Sequence, residues 1–309
     1  MTSSVRRWRY DAGGTTLGQD RRYRGSVTTD KWADWLLQRR DGGSADLRER
    51  FAPQLAAFRD GVLDRAAIVA GDVVLDVGTG TGLVGLGALD RVGPTGRVVF
   101  SDVSAALLDE CRRHADPARS TFVRAGADDL GAIPDGSVDV VTTRSVLIYV
   151  ARKAAAFAEL HRVLRPDGRL SIFEPINSFA AARGRATWFG IDLAPVADLA
   201  AKVRAVYGSG DDPMVGFDER DLVRWAGEAG FTEVRLDYRA EIDVPGPPVA
   251  DWAALKRTAP NPLAPTYAEA MRAALTPAEC DRLDAHVRSL EGTPTRHTAA
   301  TAYVSARRP

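Results

Sequence analysis

Cysteine is nearly absent from this 309-residue sequence. Cys111 and Cys280 are the only two, too few for a disulfide framework or a cysteine metal cluster. Net charge is missing as well: 41 Lys plus Arg stand against 41 Asp plus Glu. No summed field therefore draws the chain toward nucleic acid or an anionic membrane. No apolar run approaches the roughly 20 residues of a membrane helix. Arg6, Arg7 and Arg9 have no apolar run behind them, so a secretory signal is not expected. Lysine is scarce too; Lys31, Lys153, Lys202 and Lys256 are the only four, and arginine supplies nearly all the basic charge. With abundant Ala and Gly, that bias fits a GC-rich genome. These absences predict a reduced, cytoplasmic chain whose partners include neither nucleic acid nor membrane.

What is present is ordinary for a soluble globular protein, at 45% hydrophobic and 27% charged residues. The length suits one large domain with additions, or two domains. Residues 1–28, rich in Arg, Gly and Thr, read as a loose arm. A helical cap is expected over 29–69. Trp32, Trp35, Leu36 and Arg39 recur at helical spacing behind a Thr29 or Asp30 cap, and Phe51, Leu55, Phe58, Val62 and Leu63 share a second helix face. From residue 70 to 309 short strand runs alternate with helices. Strands are expected at Val73–Leu75, Arg97–Phe100, Thr121–Arg124, Ser137–Thr142, Arg169–Glu174, Phe231–Val244 and Ala299–Arg307. That alternation predicts an α/β fold with a doubly wound, mostly parallel seven-stranded sheet. Less regular insertions fall at about 176–216 and 247–296. Helix starts are marked by Asp218 with Asp221, and by Thr276-Pro277-Ala278-Glu279.

The first strand runs into Asp76-Val77-Gly78-Thr79-Gly80-Thr81-Gly82 and then a helix. Glycines let backbone approach a ligand closely, and a helix start offers free N–H groups. Gly80-Thr81-Gly82-Leu83-Val84-Gly85 also matches the dinucleotide fingerprint, with Asp102 about 20 residues on where a ribose acid belongs. Asp76 argues against a dinucleotide. A carboxylate two residues before the first glycine repels a pyrophosphate and suits a ligand bearing an ammonium group.

The chain here resembles the class I S-adenosylmethionine-dependent methyltransferases, of small-molecule type, over roughly residues 70–176. Val74 to Gly82 resembles that family's first motif. Val99-Phe100-Ser101-Asp102-Val103-Ser104 resembles its second-strand motif, Pro134 to Val141 the block entering the fourth strand, and Glu159 to Arg169 the block entering the fifth. The resemblance implies S-adenosylmethionine as cofactor and S-adenosylhomocysteine as product. It implies Gly78 and Gly80, with Thr79 between them, under the methionine part, and Asp76 acting on its amino group. It further implies Asp102 on the ribose, Val103 on the adenine face, Ala127 and Asp128 on the adenine edge, and the Arg144 main chain near the cofactor's tail.

The methyl acceptor is expected to be a small organic molecule, methylated on O, N or C, of bacterial secondary metabolism. Thr142-Thr143-Arg144-Ser145 lacks the acidic ligands a magnesium site would need, so no metal is expected. Tyr149 and Glu174 follow the fourth strand and end the fifth, and are the candidate general bases; each also has a packing or pocket-shaping reading. His161 lies in a structural block. Trp32 and Trp35 read either as a lid or as core. Asn177, Arg183, Arg185, Trp188 and Phe189 suit a cover over the acceptor. The 247–296 insertion either finishes the pocket or makes a homodimer contact. Two rival readings share the fold: a cofactor-binding protein that does not methylate, and a protein methyltransferase.

Overall fold

The computed structural model describes residues 30–182, 187–208 and 212–309. The expected arm at 1–28, the Thr29 cap, Arg183 and Arg185 lie outside the described residues. Seven strands form one sheet: β1 (Val73–Val77), β2 (Arg97–Asp102), β3 (Ser120–Arg124), β4 (Val138–Arg144), β5 (Leu164–Pro175), β8 (Thr232–Pro248) and β9 (Pro294–Arg307). A small hairpin, β6 (Thr187–Trp188) with β7 (Ile191–Asp192), stands apart. The sheet order is β3-β2-β1-β4-β5-β9-β8, parallel from β3 through β5, with β9 antiparallel between β5 and β8.

The inner parallel strands β1, β2, β4 and β5 are buried on both faces, and their residues alternate between two cores. Leu75, Val77, Val99, Val141, Leu170 and Ile172 join one cluster with Phe157 and Leu160 of α5 (Lys153–Val163) and Leu222 of α8 (Glu219–Glu228). Val74, Val98, Phe100, Val140 and Phe173 join the other. That second cluster includes Val62 and Leu63 of α2 (Ala45–Arg65), Val84 and Ala88 of α3 (Leu83–Arg91), and Leu108 and Cys111 of α4 (Ala105–His114). This period of two, with helices on each side, is the doubly wound arrangement expected from the sequence. The helix starts at Asp218–Asp221 and Thr276–Glu279 form the capping boxes their residues predicted. The upstream half of α2 leaves the core: Phe51 is exposed, while Phe58 stacks on Phe173 at 4.2 Å.

Both insertions feed a third apolar cluster away from the sheet. It collects Trp188 and Ile191 of the hairpin and Leu199 and Val203 of α7 (Ala197–Val206). Trp252 of α9 (Trp252–Leu255), Met271 of α10 (Tyr267–Ala274) and Leu283 of α11 (Pro277–Ser289) complete it. Trp252 is fully buried, and its indole N–H donates to Asp284 at 2.8 Å, so the ring's one polar atom is satisfied. Trp188, expected over the acceptor, belongs to this cluster instead.

Close packing beneath the first strand turn sets a test. A Cβ at Gly85 in α3 would lie 2.5 Å from the Phe100 ring. Gly to Ala inside a helix ordinarily gains up to about 1 kcal/mol. Here Gly85→Ala is expected to cost about 1–3 kcal/mol through overpacking, read as a lower urea midpoint. A raised midpoint would contradict the packing described.

Candidate active site

The strand order reverses at β1 and β4, and the crevice outside their carboxyl ends is where an open parallel sheet binds ligands. The first turn there contains three left-handed glycines, Gly78 (φ 63°), Gly80 (φ 57°) and Gly82 (φ 87°). A side chain at Gly78 would also run into Val146, so this turn requires glycine on two grounds.

Asp76 holds the turn from beneath. Its Oδ2 accepts from the Thr79 hydroxyl at 2.6 Å and the Gly85 N–H at 2.9 Å, and its Oδ1 accepts from the Thr142 hydroxyl at 2.9 Å. Burial pushes its pKa up to about 6 against the pull of these donors. The acid read from sequence as facing an ammonium group therefore also has an internal occupation, joining β1, the turn, α3 and β4. Its role toward a ligand is an expectation carried by its place on the cavity wall.

Asp102 ends β2 and borders the same cavity. One oxygen accepts from the Gly80 N–H and the other from the Ser104 N–H, each at 2.9 Å. Desolvation raises its pKa from the usual carboxylate value. Each oxygen keeps lone-pair capacity for a further donor. Beside it Val103, an apolar side chain, is 42% exposed on the cavity wall. Gly78, Thr79, Gly80, Ala127, Asp128 and Arg144 line this cavity too. Asp128 pairs with Arg152 at 3.0 Å. The cofactor set read from the sequence thus converges on one space of about 2230 Å³.

The two candidate bases part company. Glu174 is fully buried and is not on the cavity wall. Its oxygens accept from the N–H groups of Val146 (2.9 Å), Leu147 (2.8 Å) and Ile148 (3.2 Å). It anchors the single turn after β4, and a carboxylate so occupied has no path to an acceptor. Burial raises its pKa to about 7. Tyr149, at the end of that turn, does face the cavity. Burial lifts its phenol well above the ordinary value, so it is a neutral hydrogen-bond donor there rather than a phenolate base. His161 packs edge-on against Phe231, remote from the cavity.

The N-terminal helices cover the site. Asp30 caps α1 (Lys31–Asp34) by accepting from Ala33 N–H, and it also accepts from the Ser104 hydroxyl at 2.6 Å, beside Asp102. The next five residues, Trp35–Arg39, form one π-helical turn, with Arg40 N–H bonded to Trp35 C=O. Trp32 and Trp35 both meet Tyr149 edge-on, at 5.1 and 6.0 Å, and all three line the cavity. They are wall, not buried core. The 247–296 insertion completes the cover. Ala259 C=O accepts from the Trp35 indole at 2.8 Å, Glu269 pairs with Arg39 at 2.9 Å, and Leu263 reaches the cavity 78% exposed. Arg40 is a wall residue that sequence reasoning missed, although it lies four positions after Leu36 on the same helical face.

Residues 74–168 match a family model described as a methyltransferase domain. Among curated relatives, the chain is 38% identical over 116 residues to the ubiquinone/menaquinone biosynthesis C-methyltransferase UbiE of Hahella chejuensis, covering 36% of this chain and 46% of that one. It is 31% identical over 115 residues to the arsenite methyltransferase of Halobacterium salinarum, covering 37% of this chain and 29% of that one. The chain spans less than half the length of the curated relatives it matches. In fold it is similar to a chain of the complex between the Haloferax volcanii Trm112 methyltransferase activator and a methyltransferase, with TM-score 0.53, 18% identity, and coverage of 91% of this chain and 99% of that one.

Two measurements probe the carboxylates. Asp102→Ala is expected to weaken S-adenosylhomocysteine binding by about tenfold or more through lost charge-assisted bonds, read by calorimetry; unchanged affinity would remove Asp102 from the site. Glu174 has a folded pKa raised from 4.5 to about 7. Its stabilising contribution is therefore fully present below pH 4.5 and is lost as pH rises through 7. Glu174→Gln is expected to flatten that fall in melting temperature. An identical pH profile would show that Glu174 does not titrate in this way.

Proposed function

We propose, for a chain whose residues 74–168 form a class I, S-adenosylmethionine-dependent methyltransferase domain, that it transfers the donor's methyl group to O, N or C of a small organic molecule. The observation that carries this reading is the cavity itself. It runs from Asp102 and Val103 at the end of β2 to the Trp32–Trp35–Tyr149 wall, beneath the N-terminal helix and Leu263 of the insertion. One end has the residues suited to a nucleoside, and the other has an aromatic wall, Trp32, Trp35 and Tyr149, suited to the apolar body of an organic acceptor.

The residues present fit the donor. Asp102 offers acceptor capacity to two ribose hydroxyls, Val103 and Ala127 present apolar surface for a base, and Asp128 stands at its edge. The left-handed glycines at 78 and 80 bring main chain against the methionine part. When bound, the donor would supply an electrophilic sulfonium methyl that can pass to an acceptor's electron pair, with the thioether S-adenosylhomocysteine as the leaving group. The chain's contribution is then placement and exclusion of water. Trp32, Trp35 and Tyr149 form a rigid face against which an acceptor is oriented, and Tyr149 offers a neutral O–H as a donor. Neither Tyr149 nor Glu174 is set up to remove a proton. On this reading the acceptor arrives already nucleophilic, and orientation supplies most of the acceleration.

A place in bacterial secondary metabolism is part of this proposal; the preference for arginine over lysine, as in GC-rich genomes, bears on origin alone. The two widely separated cysteines suit a reducing, cytoplasmic setting. The test is transfer from methyl-labelled S-adenosylmethionine into a small-molecule library, read by mass spectrometry. A labelled small product is expected. Binding of NAD in preference to S-adenosylhomocysteine, or label appearing only in polypeptide, would overturn the proposal.

A further inference from the structure

Two arginines line the cavity, Arg40 from the N-terminal cap and Arg144 from the end of β4. Among the described residues neither is in an ion pair, and the Arg144 guanidinium hydrogen-bonds to the Ser145 hydroxyl at 3.4 Å. The nearest acids are engaged elsewhere. Asp41 binds Arg48 and the Gly43 N–H, Asp76 takes its three internal donors, and Glu174 takes three backbone N–H groups. Desolvation lowers the proton affinity of both arginines, and the Arg40 charge lowers that of Arg144 further. Tyr149 lies within electrostatic reach of both. Elsewhere in this structure most arginines find a carboxylate, as at Arg39–Glu269, Arg152–Asp128 and Arg169–Asp72. Two half-buried guanidiniums left facing one cavity are costly unless a ligand supplies the anion.

The donor cannot supply it all. Its tail carboxylate is offset by its own ammonium and sulfonium, so it brings a net positive charge to a site already holding two cations.

We propose that Arg40 and Arg144 clamp a carboxylate of the methyl acceptor against the Trp32–Trp35–Tyr149 wall, which makes the substrate class an aromatic or apolar carboxylic acid. The clamp rests on the methyl-transfer reading and specifies its acceptor. Planar, bidentate guanidinium–carboxylate pairing gives direction as well as charge, and the aromatic wall receives the apolar body.

The test uses the full chain saturated with S-adenosylhomocysteine and a panel of aromatic carboxylic acids, each paired with its amide. Binding is followed by tryptophan fluorescence, since Trp32 and Trp35 line the recess. Acids are expected to bind about tenfold or more tighter than their amides, with the preference lost in Arg40→Gln and Arg144→Gln and largely kept in Arg40→Lys. The wild-type comparison needs no variant to fold. Equal binding of acids and amides would overturn the clamp. So would loss of S-adenosylhomocysteine affinity in both glutamine variants with 5′-methylthioadenosine binding unchanged, because that nucleoside lacks the amino-acid tail and the result would assign both arginines to the donor. Failure of the wild type to bind S-adenosylhomocysteine at all is a separate result, and it would sink the methyl-transfer reading itself.

Discussion

The buried carboxylate of Asp76 is the constraint on which the site depends. It lies near the end of β1, buried among its neighbours, and three donors from three different segments converge on it. Thr79 sets the curvature of the glycine turn, Gly85 N–H sets the start of α3, and Thr142 ties β4 alongside. Removing the carboxylate would leave buried donors unsatisfied in all three, and each would then cost about 1–3 kcal/mol. The turn's left-handed glycines are affordable because this one group over-determines them. A sequence with the glycines alone would bend there; the acid decides how.

The same device recurs at the neighbouring strand ends. Asp102 after β2 gathers the N–H groups of Gly80 and Ser104, and Glu174 at the end of β5 gathers three from the turn after β4. Three strand ends thus organise three loops through carboxylates that accept main-chain N–H. The difference between them is outlet. Asp76 and Asp102 border the cavity, while Glu174 is sealed behind its turn. That difference separates a residue able to meet a ligand from one that only positions Tyr149.

The convergence of the residues expected to hold the donor is legible in the sequence because they are local. Strand, acid and glycines fall within ten residues, and Asp102 follows at a spacing set by one helix and one strand. The doubly wound sheet was legible for the same reason, in apolar runs broken by capped helices. Glu174 stays open in the sequence between base and structural residue, because a carboxylate at a strand end looks identical whether it points outward or backs onto the adjacent turn. Only the register of β4 with β5, pairing Arg144 with Phe173, brings Glu174 under the Val146–Ile148 amides. Trp188 was misplaced because aromatic character alone cannot choose between a cavity wall and a second core. Boundaries lengthened at β8 and β9, where the antiparallel pair continues beyond the part of the sheet covered by helices and loses its alternating pattern.

The acceptor half is built the opposite way. Its walls come from residues 32–40, 144–149, 177, 214 and 263, brought together only by the docking of the N-terminal helix onto α4 and of the later insertion onto that helix. Most of these positions fall outside residues 74–168, the stretch shared with the methyltransferase domain family. Similarity to relatives with different printed substrates is therefore what this architecture predicts. The common stretch contains the glycine turn and two of the three strand-end carboxylates, Asp76 and Asp102, while Glu174 lies just beyond it. Among the described residues the N-terminal cover meets that framework through the Ser104 hydroxyl bond to Asp30, the packing of Leu36 beside Gly80, and Trp32 and Trp35 against Tyr149. On the proposed reading, recognition of the acceptor falls to Arg40, Trp32 and Trp35 and to the segment after β4, which line the same cavity. A change of substrate in this fold needs a new cover, with the glycine turn and its buried acid left as they are.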